Sequence, residues 1–145
     1  MGDTLLIGTA EQVIEKLAAY AELGIEIHQV YGLTETCGPA CLISPEDAIR
    51  KAGSTGKPFF HTEVRVIDDS GAELPAGEMG EVIISGRHLM KGYWNRPDAT
   101  AEVLRDGWLH SGDLASMDGD GFVYIQDRKK DMIISGGENV YPAEI

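Results

Sequence analysis

Apolar residues recur at helical spacing between positions 13 and 21, as Val13, Ile14, Leu17, Ala18 and Ala21. Ahead of them, Thr9-Ala-Glu-Gln12 reads as a capping box, whose side chains satisfy the first free N–H groups of a helix. Gly24 supplies the stop. The pattern predicts a helix over Glu11 to Leu23 and then a strand over Ile25 to Tyr31. From Phe59 the hydrophobic period drops to two. Glu63-Val-Arg-Val-Ile67 alternates, Asp68-Asp-Ser-Gly71 turns, and Gly80-Glu-Val-Ile-Ile84 returns. That is antiparallel β, a small sheet or partial barrel. Pro97 suits the first turn of a short helix through Val103. Asp106-Gly107 marks a turn, and Leu114–Met117 and Phe122–Gln126 flank Asp118-Gly-Asp-Gly121 as a hairpin. Ser135-Gly136-Gly137 lets the chain turn freely. Pro142-Ala-Glu-Ile145 reads as a helix beginning; one turn cannot bury an apolar face, so the sequence reads as part of something longer. The expected class is mixed α/β.

Composition narrows the partners. The 145 residues fit one domain by length. Twenty-four acids against 12 Lys and Arg give a net charge of −12. Such a field repels nucleic acid and anionic membranes, so neither is an expected partner. No apolar run approaches the roughly 20 residues of a spanning helix. No signal peptide is visible, so a cytoplasmic location is the expectation. Cys37 and Cys41, spaced C-x-x-x-C, have no second pair or matched histidine and read as reduced thiols near a loop. Oligomeric state cannot be read from the sequence.

Two motifs invite misreading. Gly53-Ser-Thr-Gly-Lys-Pro58 has two residues between its glycines where a phosphate loop needs four, and proline where that loop needs a hydroxyl. It reads as a connector before the Glu63 strand. Asp118-Gly-Asp-Gly121 starts like a calcium loop, but Phe122 and Lys129 occupy the later ligand positions. A third motif asks for explanation: Tyr31-Gly-Leu-Thr-Glu-Thr36 groups a phenol, two hydroxyls and a carboxylate where a strand ends, with no histidine or lysine beside them to make a nucleophile. In open α/β sheets ligands gather beyond the carboxyl ends of strands.

Four segments in order carry a resemblance: "YGLTET" at 31–36, "GYWNRPDAT" at 92–100, "DGWLHSGDL" at 106–114 and "DRKKDMIISGGENVYPAEI" at 127–145. From about Gly24 to Ile145 the chain resembles the AMP-forming acyl-CoA synthetases, adenylating enzymes that also include beetle luciferases and peptide-synthetase adenylation domains. Leu33, where peptide-synthetase domains more often carry proline, and the Ser135 to Pro142 run lean towards acyl-CoA ligases; the whole resembles a medium- to long-chain fatty-acyl-CoA ligase, although these residues do not specify the acyl chain length. The resemblance implies the adenylate-forming fold. It sorts the chain into an α/β piece of the large AMP-binding domain (1–58), an antiparallel β subdomain of it (59–127), and the hinge and beginning of a C-terminal lid (128–145).

The implied reaction is ATP-dependent: a carboxylate becomes an acyl-adenylate, and coenzyme A, as co-substrate, displaces AMP. Such transfers rest on positioning and charge stabilisation rather than on an enzyme nucleophile. By resemblance, Thr34 holds the α-phosphate of ATP and Glu35 binds Mg2+. Tyr31 and Gly32 line the adenine pocket, Asp113 takes the ribose diol and Arg128 contacts the nucleotide. Lys130 falls at the hinge, Gly136 and Gly137 wall the pantetheine path, and Gly38, Pro39 and Ala40 stand beside the pocket for the carboxylate. The family's Ser/Thr/Gly-rich phosphate loop and lid lysine are not among these motifs, so the chain alone is expected to release no pyrophosphate. Two other readings are a stand-alone AMP- or ATP-binding module and an interaction fragment without ligand. Gly8 to Gly24 is similar to a helix of luciferase-like flavin monooxygenases.

Overall fold

The computed structural model describes residues 8–129, 133–135 and 138–140. Helix α1 spans Ala10–Glu22, one residue earlier at each end than its periodicity predicts. Its capping box forms: Gln12 N donates to Thr9 Oγ1 at 3.4 Å and Thr9 N donates to Gln12 Oε1 at 2.9 Å. At the other end Gly24 N donates to Ala21 O and Ile25 N to Tyr20 O, with Gly24 at φ +73°. That pair of bonds is the left-handed stop that glycine favours. No residue of α1 is buried.

The strand after it is shorter than predicted. β1 is Gln29–Tyr31, pairing antiparallel with β2, Cys41–Ile43. Three partners in β2 set its length, and residues 25–28 join no ladder. β2 pairs antiparallel with β3, Lys57–Pro58. The small sheet is therefore antiparallel throughout, and the rule about carboxyl ends of parallel strands does not explain the loop after Tyr31. A one-turn helix α2, Pro45–Ala48, follows β2; neither β2 nor α2 announces itself in the hydrophobic pattern.

The second sheet matches expectation more closely. β4 (Thr62–Ile67), β5 (Met79–Gly86), β6 (Leu104–Arg105) and β7 (Trp108–Met117) lie in the order β4-β5-β7-β6, and β8 (Val123–Arg128) also pairs with β7. α3, Pro97–Val103, has the predicted bounds. All these strands pair antiparallel, and the whole is a mixed α/β arrangement around a curled antiparallel sheet. Val64 opposes Ile84, Val66 opposes Val82, and Ile84 opposes Leu109. Register thus gathers one face into a core of Val64, Val82, Ile84, Leu109, Ala115 and Val123, completed by Ala40 and Cys41 of the small sheet. β9 (Ile133–Ser135) and β10 (Glu138–Val140) form an antiparallel pair.

Gly53 to Pro58 joins the two sheets. Ser54, buried, donates through Oγ to Val123 O at 2.8 Å and accepts from Gly56 N at 2.9 Å. Thr55 N also donates to Val123 O, and Val123 N donates to Gly56 O. These groups bind strand β8 and not phosphate.

Asp118-Gly-Asp-Gly121 is a turn held by its own first residue. Asp118 Oδ1 accepts from the amides of Asp120 and Phe122, both at 2.9 Å, while Oδ2 accepts from Lys51 Nζ at 2.6 Å. Lys51 also reaches Asp120 at 2.7 Å and lies 4.8 Å from the centre of the Phe122 ring. Among the described residues no group of three or more His, Cys, Asp or Glu could hold a metal.

Burial would raise the Asp118 pKa, but Lys51 and the two amides outweigh it and bring the carboxyl down to about 2 from a reference of 3.8. A carboxylate depressed on folding stabilises above its unfolded pKa and loses that contribution as pH falls through the folded one. The stability difference between wild type and Lys51→Met is therefore expected to be full above pH 4 and to shrink as pH falls towards 2, in urea denaturation at stepped pH. A difference constant from pH 6 to pH 2 would show that Lys51 acts only by packing on Phe122.

Candidate functional site

Strand β7 carries an irregularity that shapes a cleft. Glu81 pairs with Leu114 and Ile83 with His110, so Val82 alone faces Ser111, Gly112 and Asp113. Gly112 takes φ +72° within this bulge. Bulges bend a strand and re-aim its side chains. Ser111 Oγ donates to Val82 O at 2.7 Å and accepts from Asp113 N at 3.0 Å. Gly112 N donates to Glu81 Oε1 at 3.3 Å, and Gly112 O accepts from Lys129 N at 2.8 Å. Lys129 Nζ lies 3.4 Å from Glu81 Oε2 and 2.8 Å from Asp69 Oδ1.

Asp113, 5% exposed, is thereby set at the wall of a cleft of about 790 Å³. Both of its oxygens are engaged. Tyr31 Oη donates to Oδ2 at 2.7 Å, and Arg128 Nε stands 3.3 Å from Oδ1. The second contact follows from register, since Asp113 and Arg128 oppose each other across β7 and β8. Burial, then the hydrogen bond to Asp113 and its charge, hold the Tyr31 phenol far above its usual pKa.

The facing wall is the loop from Gly32 to Gly38. Thr34–Thr36 makes a single 3-10 turn, and Cys37 closes it at φ 51°. Thr36 is fully buried and fastens the loop: its hydroxyl contacts Leu33 O at 2.7 Å and Gly38 O at 2.6 Å and accepts from Leu33 N at 3.0 Å. Gly32 lies so close to Gly38 that a Cβ there would stand 2.6 Å from Gly38 O. With the loop fixed, Thr34 and Glu35 line the cleft, and Glu35 Oε1 accepts from Tyr93 Oη at 2.6 Å.

Of the residues expected from sequence, Tyr31, Gly32, Thr34, Glu35, Asp113 and Arg128 line this one cleft. Lys130, Gly136 and Gly137 lie outside the described residues. Gly38 and Pro39 open instead onto a second cavity, about 990 Å³, with Phe59, Phe60 and His88. Ala40 faces neither cavity. It is wholly buried, its N bound to Tyr31 O and its O to Phe59 N, and it belongs to the core. Burial pushes the Cys41 thiol up to about 12, while Cys37 is exposed. Sequence reasoning gave no role to Tyr93, Glu81 or Thr36; Tyr93 and Thr36 had a signal, their places in the quoted "GYWNRPDAT" and "YGLTET" segments.

The sequence profile of the family described as "AMP-binding enzyme" matches residues 4–94. The chain belongs to that family. A feruloyl-CoA synthase of an Amycolatopsis species is 51% identical over 142 residues, covering 98% of this chain and 29% of its own length. A long-chain-fatty-acid–CoA ligase of Mycobacterium tuberculosis is 53% identical over 126 residues, covering 87% of this chain and 25% of its own. The chain thus spans less than a third of the length of these relatives. The unliganded O-succinylbenzoate coenzyme A synthetase of Bacillus subtilis superposes with a TM-score of 0.80 at 44% identity, over 90% of this chain and 29% of that one. The same enzyme is solved with ATP and magnesium ion. The AMP-binding match begins at residue 4, so Gly8 to Gly24 belongs with the rest, and its likeness to flavin monooxygenases marks no separate origin.

Proposed function

We propose that this chain supplies one wall of the nucleotide site of an AMP-forming acyl-CoA ligase. Such an enzyme converts a carboxylic acid and ATP to an acyl-adenylate and pyrophosphate, then passes the acyl group to coenzyme A. The observation that carries the reading is the convergence of Thr34 and Glu35 on the cleft of Asp113 and Arg128. Its volume lies within the usual range of small-ligand sites, roughly 300–1,000 Å³.

The donor set fits the groups implied. The Asp113 carboxylate can accept from both hydroxyls of a ribose diol, each charge-assisted bond contributing about 1.5–3 kcal/mol. Arg128, already beside Asp113, adds positive charge where a nucleotide would lie. Glu35 offers one hard oxygen ligand, and one carboxylate plus substrate phosphates is ordinary Mg2+ coordination. When bound, Mg2+ would neutralise phosphate charge. The Thr34 hydroxyl can donate to the α-phosphate. No nucleophile is required of the protein, because the substrate carboxylate attacks the α-phosphorus itself. The cavity beside Pro39, with Phe59 and Phe60, favours an acid with an apolar body, a fatty acid among them. On this reading residues 128 onward begin the lid.

Titration calorimetry with ATP and Mg2+ tests the proposal. Binding tighter than about 1 mM supports it, and no heat at that concentration overturns it. Glu35→Ala is expected to weaken Mg2+-dependent ATP binding at least about tenfold while leaving stability within about 0.5 kcal/mol, as partly exposed positions usually do. Loss of both together would make Glu35 a structural residue.

A further inference from the structure

The segment Met90 to Thr100 touches the cleft only through Tyr93, yet it grips the Glu35 loop twice. Met90 N donates to Glu35 O at 2.8 Å, and Tyr93 Oη donates to Glu35 Oε1 at 2.6 Å. Tyr93 is itself anchored at the start of α3. Its N donates to Thr100 Oγ1 at 2.9 Å, and Thr100 Oγ1 donates to Arg96 O at 2.8 Å. Gly92, at φ +147°, lies where a Cβ would stand 2.8 Å from Thr100 Cγ2, which keeps the approach tight.

We infer that Tyr93 is a positioning residue: its phenol holds the Glu35 carboxylate ready for a divalent cation, and α3 holds the phenol through Thr100. The inference rests on the reading of Glu35 given under Proposed function. The donor type is the telling feature. Asp113 has Arg128 beside it, whereas Glu35 makes no ion pair among the described residues. A phenol fixes a carboxylate's orientation without adding positive charge, so the full negative charge remains for a cation. Oε2 has no hydrogen-bond partner among the described residues. Glutamate carries substantial rotamer entropy, and a carboxylate already fixed binds its cation without losing that freedom. Consistent with the contact, the Glu35 hydrogen bond, then burial, raises the Tyr93 pKa.

The test is ATP titration of the 145-residue chain with and without Mg2+, for wild type, Tyr93→Phe and Thr100→Val. Tyr93→Phe is expected to bind ATP about tenfold more weakly with Mg2+ and unchanged without it, at unchanged melting temperature. Thr100→Val should move the same way by a smaller factor. Mg2+-dependent binding in wild type that neither variant alters overturns the positioning role while leaving Glu35 intact. Equal losses with and without Mg2+ also overturn it, in favour of a structural tether. Wild-type binding indifferent to Mg2+ overturns the Glu35 assignment itself, and this inference with it.

Discussion

Gly56→Ala is expected to cost about 3 kcal/mol or more of folding stability. Two independent effects add. Gly56 has φ +98°, where an L-residue is strained by about 1–2 kcal/mol. The new Cβ would also stand 2.0 Å from Leu42 C and O and 2.4 Å from Ile43 N. Those are backbone atoms of β2 and cannot rotate away, so overpacking adds another 1–3 kcal/mol, roughly. Against a total of about 5–15 kcal/mol, such a loss removes a substantial share of the folding stability. Gly53→Ala is the control. Gly53 has a similar φ of +87°, but no atom lies within 4 Å of its Cβ position. It should lose only the strain, about 1–2 kcal/mol. Urea denaturation of both variants decides the matter: equal losses would mean that the approach of Gly56 to β2 is not what the junction requires.

Thr36→Val should come next, at about 2–4 kcal/mol. The side chains are nearly the same shape, so the loss isolates the hydroxyl. Leu33 O keeps the Thr36 amide at 3.1 Å, but Leu33 N and Gly38 O lose their partner. An unsatisfied buried polar group costs about 1–3 kcal/mol. Thr36→Ser, which retains the hydroxyl, should lose about 1 kcal/mol, the value of a buried methyl. The readout is twofold: urea midpoint and ATP affinity, since the loop that carries Thr34 and Glu35 is closed by this hydroxyl. If valine and serine behave alike, the network around Thr36 does not set the loop.

What could be read in advance was local. The box at Thr9 and Gln12, the stop at Gly24, the proline opening α3 and the Asp118 turn are each decided within a few residues. The family resemblance likewise brought Tyr31, Glu35, Asp113 and Arg128 together before any coordinates. What escaped was decided elsewhere in the chain. The length of β1 depends on β2, eleven residues or so downstream. Ser54 and Gly56 serve Val123, and Tyr93 serves Glu35, at separations no periodicity encodes. The first half of β7 was missed because Gly112 and Ser111 interrupt alternation where the strand bulges. Ala40 was misplaced for a related reason: it follows two cavity-lining residues in sequence, but the return into β2 turns it to the core.

The bulge at Ser111 to Asp113 has a wider implication. Regular ladder resumes on both sides of it, at Leu109–His110 and at Leu114–Ser116. The strand's alignment with β5 is therefore fixed by its flanks, and the three residues between are held by their own bonds to Val82, Glu81, Lys129 and Tyr31 rather than by that ladder. A sheet so divided can change what it recognises without re-registering a strand. A change of side chain within the bulge therefore reshapes the cleft wall, whereas a change at its flanks disturbs the ladder itself.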